Sequence, residues 1–206
     1  MHTIIDHPLV QHKLSYLRDS ATGTQRFGEL ACEITRYLAY EALKNLDTKE
    51  VAVQTPMAVA KCRRVSNKVV LVPILRAGVG MIDGMKSMMP DVSVGFLGMY
   101  RDHETAEPVE YYAKLPVPDE TTVAMVIDPM LATGGSATAA LNLLKNRGFK
   151  KIIFVCIVSC RYGVDALEKS HPDVPIYAAA MDEELNSVKY IVPGLGDAGD
   201  RLFGTL

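Results

Sequence analysis

An acid, a hydroxyl–glycine cluster and a distant arginine are the side chains of this chain whose types and spacing could act together. Residues 123–127 form an apolar run that stops at Asp128. Pro129, Met130, Leu131 and Ala132 then lead to Thr133, Gly134, Gly135 and Ser136. Backbone N–H groups in such a loop, with those of a following helix's first turn, bind anions. Gly134 and Gly135 let the backbone approach a phosphate closely. Thr133 and Ser136 add hydroxyl donors. A carboxylate beside a phosphate is repelled unless it serves sugar hydroxyls or a metal. The local chemistry is therefore that of a phosphorylated sugar, with its phosphate on the loop and its hydroxyls on Asp128.

These groups need a strand and a helix to hold them. The run 123–127 is short and rich in β-branched residues, which reads as a buried strand. Residues 137–144 are apolar at helical spacing. The order is strand, acid, glycine-rich loop, helix, and open α/β sheets bind ligands outside the carboxyl ends of their strands. The loop lacks the lysine of a Walker A sequence, since Gly135 fills its place, and it has no Gly-x-Gly-x-x-Gly. Strand–helix turns with glycine present only for packing remain an alternative at this point. A second unit has the same form. Residues 69–75 read as a strand, Arg76-Ala77-Gly78-Val79-Gly80 follow, and a helix is expected from about Met81. Arg76 then stands at a carboxyl end of the same sheet, where a guanidinium could clamp diphosphate oxygens. An ordinary surface arginine is the competing reading.

Around this centre, Asp6-His7-Pro8 reads as a helix start, with Val10, Leu14 and Leu17 on one face. Thr22 and Gln25 have capping-box spacing ahead of a second helix running to about Leu46. Phe27, Leu30, Ala31, Ile34, Leu38 and Ala42 should point inward there, with Arg26 and Arg36 solvated. Residues 51–61, interrupted by Pro56, read as extended edge structure, and Lys61-Cys62-Arg63-Arg64 as a solvated turn. Residues 92–99 read as a strand, followed by a charged segment with strand-like character at 109–115. Further strands are expected at 152–159 and 176–181, with a short helix at 164–170 between them.

The sequence has 206 residues and is 49% hydrophobic, enough for one sizeable α/β core. A net charge of −2 gives no electrostatic reason to expect nucleic acid or a membrane surface. No signal peptide is read at the start, and no apolar run approaches the roughly 18 residues that span a bilayer. The spacing of Cys156 and Cys160 fits neither a Cys-x-x-Cys redox pair nor a zinc pair, so Cys32, Cys62, Cys156 and Cys160 read as thiols in a reducing, cytoplasmic setting.

The segment Asp-Pro-Met-Leu-Ala-Thr-Gly-Gly-Ser at 128–136 resembles the phosphoribosyl diphosphate (PRPP) loop of type I phosphoribosyltransferases. It is most similar to that of the uracil phosphoribosyltransferases, where Pro129 replaces a second acid. Arg-Ala-Gly-x-Gly at 76–80 resembles the diphosphate loop of the same family, a place where a non-proline cis peptide is often found. Tyr-Arg-Asp-x-Glu-Thr at 100–105 resembles its flexible hood, and Tyr-Ile-Val-Pro-Gly-Leu-Gly-Asp-Ala-Gly-Asp-Arg at 190–201 its uracil-binding segment.

The resemblance implies one phosphoribosyltransferase domain over 1–206. Its mostly parallel central sheet would be flanked by helices, with a protruding β-hairpin hood at 100–116, an N-terminal helical pair and a base-binding segment at 190–204. It implies transfer of the phosphoribosyl group from PRPP to uracil, giving UMP and diphosphate in pyrimidine salvage. Arg76, Arg101, Asp128 and Asp197 would be catalytic. Arg76, Arg101, Asp197 and every residue from Asp128 to Ser136 would bind PRPP. Ile191, Gly196, Asp197 and Ala198 would bind uracil, the backbone of Ile191, Gly196 and Ala198 reaching its alternating acceptors and donor. Mg²⁺ would enter on PRPP, mostly through waters and near Asp197. The role of His103 in the hood is open, and Asp197 is a candidate base for N1–H by proximity alone. A homodimer or higher homo-oligomer is implied, and GTP activation occurs in some relatives. The rivals are an RNA-binding pyrimidine regulator on the same fold and a phosphoribosyltransferase for another base.

Overall fold

A computed structural model describes residues 1–101 and 108–205. The helices are α1 (Pro8–Arg18), α2 (Thr24–Ala42), α3 (Ile82–Met88), α4 (Gly135–Asn146), α5 (Arg161–Ser170) and α6 (Ala198–Phe203). The strands are β1 (His2–Ile4), β2 (Thr48–Gln54), β3 (Val59–Val65), β4 (Lys68–Leu75), β5 (Ser93–Val94), β6 (Phe96–Arg101) and β7 (Pro108–Lys114). They continue with β8 (Thr122–Ile127), β9 (Met130–Leu131), β10 (Lys151–Cys160), β11 (Ile176–Asp182), β12 (Glu184–Leu185) and β13 (Ile191–Val192).

The central sheet runs β1-β11-β10-β8-β4-β6-β7, with β5 beside β4 and β9 beside β10. All its pairings are parallel except β6 with β7. Period-two alternation divides each central strand between two cores. Val69, Leu71, Met125, Ile127, Val155 and Ile157 pack under α1 and α2, together with Phe27, Leu30, Ile34 and Leu38. Val70, Val72, Ala124, Val126, Phe154 and Cys156 face the other side, against Leu141 and Leu144 of α4 and Val164 and Leu167 of α5. Burial on both faces is why these strands read as unbroken apolar runs.

The mostly parallel α/β architecture and the N-terminal helical pair agree with the sequence reading, and the differences have local causes. The capping box does not form: Gly23 is the N-cap of α2, Thr22 Oγ1 donates instead to the Tyr16 carbonyl at 2.6 Å, and Gln25 Nε2 to Glu29. Helix α2 ends at Ala42, short of Leu46. The 51–61 region spans the turn and parts of both arms of an antiparallel hairpin of β2 and β3, off the main sheet, so Lys61, Cys62, Arg63 and Arg64 lie in a strand rather than a turn. Helix α5 begins at Arg161, a turn earlier than the expected 164, directly where β10 ends. The edge strand β1 pairs with β11, a pairing that three residues of sequence do not announce. All four cysteines are free; Cys156 and Cys160 are buried, Cys32 and Cys62 half-buried. No helix among the described residues is long and apolar enough to cross a membrane.

Candidate active site

Strands β4 and β8 lie side by side in register, Pro73 opposite Ile127, so the loops after them open at the same edge. They also touch. A Cβ placed on Gly78 would lie 2.5 Å from the Ile127 carbonyl oxygen, a separation that only glycine permits. Asp128 and Arg76 are therefore held on one backbone frame. The Leu75–Arg76 peptide is cis, as the resemblance implies for this loop.

Asp128 is half-buried at the end of β8, and the Met130 N–H donates to its Oδ1 at 3.2 Å. Burial pushes its pKa up to about 7, against the smaller opposing pull of that hydrogen bond. Beyond it the chain does not leave the sheet. Pro129 has no N–H to give, but its carbonyl accepts from the N–H groups of both Ile157 and Val158 at 3.0 Å, and Met130 and Leu131 then pair with Val158 and Ser159. What reads as loop in the sequence is stitched to β10 up to Leu131. The free loop is only Ala132, Thr133 and Gly134.

Gly134 has φ +84 and caps α4. A Cβ there would stand 3.1 Å from the Gly163 carbonyl and from Ala166 Cβ, so the turn is pressed against α5. Gly135 has no such neighbour: its nearest contact would be Thr133 Oγ1 at 3.7 Å, which leaves its face open toward a ligand. Gly135, Ser136 and Ala137 open α4, and a cavity of about 90 Å³ lies over Asp128 and residues 130–137. This is the place where the sequence reading expects an anion, at the open N–H groups of a helix's first turn.

The segment expected from the sequence to bind a base folds over this loop. A cavity of about 380 Å³ is lined by Met130, Thr133, Gly135 and Ser136 on one side and by Lys189, Tyr190, Ile191 and Asp197 on the other. Asp197 is the N-cap of α6, its Oδ1 accepting from the Asp200 N–H at 2.9 Å and its Oδ2 from the Tyr190 hydroxyl at 3.1 Å. That bond, with the charge of Asp197, raises the Tyr190 pKa. Gly199 lies between Asp197 and Arg76, whose Nη2 would be 3.5 Å from a Cβ at that position. Arg76 reaches Asp200 at 3.0 Å, and the Thr205 hydroxyl, followed by Arg76, lowers the Asp200 pKa. Two segments 120 residues apart thus meet at Arg76.

Ile191 and Ala198 are buried, whereas Gly196 is exposed in a left-handed conformation (φ +78). Arg101 ends β6, next to β4; His103 and residues 102–107 of the hood lie outside the described residues. Tyr190 and Lys189 were not singled out in sequence as site residues, although Tyr190 begins the base-segment motif. Among the described residues no three His, Cys, Asp or Glu side chains cluster as a metal cage. Single acids, Asp128 and Asp197, fit a cation that arrives already bound to its ligand. A roomier cavity of about 700 Å³ between the N-terminal helices shares no residue with this site.

A family model of uracil phosphoribosyltransferase matches residues 4–205. A uracil phosphoribosyltransferase of Dictyoglomus thermophilum is 57% identical over 203 residues, covering 98% of both chains. One from a Geobacillus strain is 54% identical, covering 98% of this chain and 97% of that protein. Among solved structures, the AQ2163 protein from Aquifex aeolicus superposes with a TM-score of 0.93 at 35% identity, covering 98% of each chain. An adenine phosphoribosyl transferase from Trypanosoma brucei shares the fold at TM-score 0.58 and 12% identity, over 87% of this chain and 82% of that one. With a family model over almost its whole length and relatives at more than half identity, the chain belongs to the uracil phosphoribosyltransferase family.

Proposed function

We propose that the chain transfers the 5-phosphoribosyl group of PRPP to N1 of uracil, giving UMP and diphosphate, with the residues named from the sequence in their named roles. One observation carries this reading: the 5′-phosphate loop and the base segment line a single cavity of about 380 Å³. A phosphate on Thr133–Ser136 therefore puts C1 of its ribose within reach of a base held by Ile191, Gly196 and Ala198.

The C1–O bond to diphosphate breaks as the N1–C1 bond forms, and positive charge develops at C1. No covalent nucleophile is needed. Positioning and neutralisation of the leaving group suffice. Asp128 accepts from the ribose hydroxyls. Arg76, and by the family resemblance Arg101, are the cations assigned to the departing diphosphate. Mg²⁺ brought in on PRPP, its remaining ligands mostly water, would neutralise diphosphate oxygens when bound. Asp197 is the acid lining the cavity and is the acceptor assigned to the N1 proton. The backbone of residues 191–198 meets O2, N3–H and O4 of uracil. Cytosine would oppose an amino group and an unprotonated N3 to the same partners, a mismatch worth about 10⁴-fold. Closure of the 100–116 hood would keep water from C1.

Finer expectations belong to the same reading. A homodimer or larger assembly is supported by the β2–β3 hairpin, which stands off the main sheet with Met57 and Val59 exposed at its tip. For GTP activation, which only some relatives show, and for a cytoplasmic location, the family likeness is the support. The experiment is diphosphate release from PRPP and Mg²⁺ with uracil, cytosine, hypoxanthine or no base. Release with uracil alone supports the proposal. Release with hypoxanthine would move the base assignment to a purine. Failure with every base, together with salt-dependent RNA binding, would favour the regulator.

A further inference from the structure

The turn that carries the base contacts is not held by secondary structure. The hydrogen bonds that the structure gives residues 193–196 come from three side chains outside the turn, those of Arg18, Asp182 and Arg201. Gly194 donates its N–H to Asp182 Oδ2 at 2.9 Å and accepts at its carbonyl from Arg18 Nη1 at 2.7 Å. Arg18 and Asp182 also grip each other through both nitrogens and both oxygens, at 2.7 and 2.8 Å. Asp182 ends β11 and is 8% exposed; Arg18 ends α1. One step on, the Leu195 carbonyl accepts from Arg201 Nη1 at 2.8 Å. Arg201 is buried, lies over the Phe27 ring, and donates as well to the carbonyls of Leu17 and Asp19.

Two arginines therefore tie the α1–α2 corner to Gly194 and Leu195. Both of those residues are buried, and Gly196, the next in the chain, is exposed. Bidentate arginine–carboxylate pairs fix orientation as well as distance. Gly194 itself has φ +58, and a Cβ there would come within 2.1 Å of the Ile191 carbonyl oxygen. The carbonyl of one proposed base contact is thus packed against the residue that the ion pair holds.

We propose that Arg18, acting with Asp182, is a positioning residue for the nucleobase: the pair sets where Ile191 and Gly196 stand over the ribose. This rests on the base assignment above. Among the described residues no hydrogen bond or ion pair joins Arg18 or Asp182 to the phosphate loop or to Arg76, so the role is confined to the base half of the site. It also gives the N-terminal helical pair a task within its own subunit, beyond covering the sheet.

The test uses the full chain with Arg18→Gln, Arg18→Lys, Asp182→Asn and the double variant Arg18→Gln/Asp182→Asn. KM and kcat are measured for uracil and cytosine, and PRPP·Mg²⁺ binding is measured separately by calorimetry without base. Expected for Arg18→Gln is a rise in uracil KM of about tenfold or more, a narrowed uracil-to-cytosine ratio, and PRPP affinity within about twofold of wild type. Arg18→Lys keeps the charge but not the fork and should recover part of the loss; if Arg18→Gln does not fold, it carries the same comparison. The double variant should be no worse than the poorer single one. Wild-type uracil KM in a folded Arg18→Gln, or equal losses for uracil and PRPP, would overturn the inference. A wild-type protein that does not use uracil would overturn the base assignment itself, a result visible before any variant is compared.

Discussion

Nη2 of Arg76 lies 3.0 Å from Oδ1 of Asp200, and Thr205 Oγ1 donates to the same oxygen at 2.6 Å. The arginine proposed to meet diphosphate is thus parked on a carboxylate of the base segment. The pair is well exposed, with Arg76 58% accessible, so the link is cheap to exchange for a phosphate oxygen. Asp200→Asn should change the KM for PRPP by no more than about threefold. Arg76→Ala should lower kcat/KM for PRPP by about a hundredfold. Steady-state kinetics on the two variants checks both.

Asp128 gives a pH signature. Its carboxyl is pushed up to about 7 by burial, above the ordinary range of an unfolded chain. Between pH 4 and 7 the folded protein then binds more protons at this site than the unfolded one, so its contribution to stability falls as pH rises. Asp128→Asn carries no charge to desolvate. It should match the wild type at pH 4 and exceed it by roughly 2 kcal/mol at pH 8 in denaturant titrations, while losing PRPP turnover. A parallel pH dependence in the two proteins would refute this.

Asp197 has two roles that a pair of substitutions separates. As N-cap it holds the Asp200 N–H, and asparagine caps as well as aspartate does. Asp197→Asn should therefore keep the melting temperature and lose most of kcat. Asp197→Ala should lose the activity and also about 1 kcal/mol of stability. Thermal melts beside activity assays distinguish the two.

The contact between the two loops is tested by Gly78→Ala. The new methyl would meet the Ile127 backbone oxygen, which has no flexible end to move aside. The cost should be at least about 2 kcal/mol, with PRPP binding weakened in whatever protein still folds. An alanine variant of wild-type stability would show that the strands part easily.

The strands, the phosphate loop and the arginine after β4 were legible in the sequence because each is local: an apolar run, a turn, a helix start. The way Met130 and Leu131 rejoin the sheet was not, since the acceptor is a proline carbonyl and the donors are on β10. Hidden for the same reason were Arg18 and Asp182, which are 164 positions apart and meet only when β11 and α1 pack. The capping box failed because Gly23, adopting an extended cap conformation, ends the turn one residue later than Thr22 would. No spacing rule marks a side chain that serves a distant backbone carbonyl, as Arg201 serves Leu17, Asp19 and Leu195.

The near-contact of Gly78 with Ile127 has a mechanical consequence. The loop that carries Arg76 and the strand end that carries Asp128 are parts of one rigid bracket. The turn at residues 186–190 across the cavity is held more lightly, by the Asn186 side chain and backbone and by the Tyr190 hydroxyl on Asp197. With the bracket fixed, any opening of the cavity falls to that lighter turn, and if product leaves past it, its opening rate would set a ceiling on turnover that no improvement in the chemistry could raise.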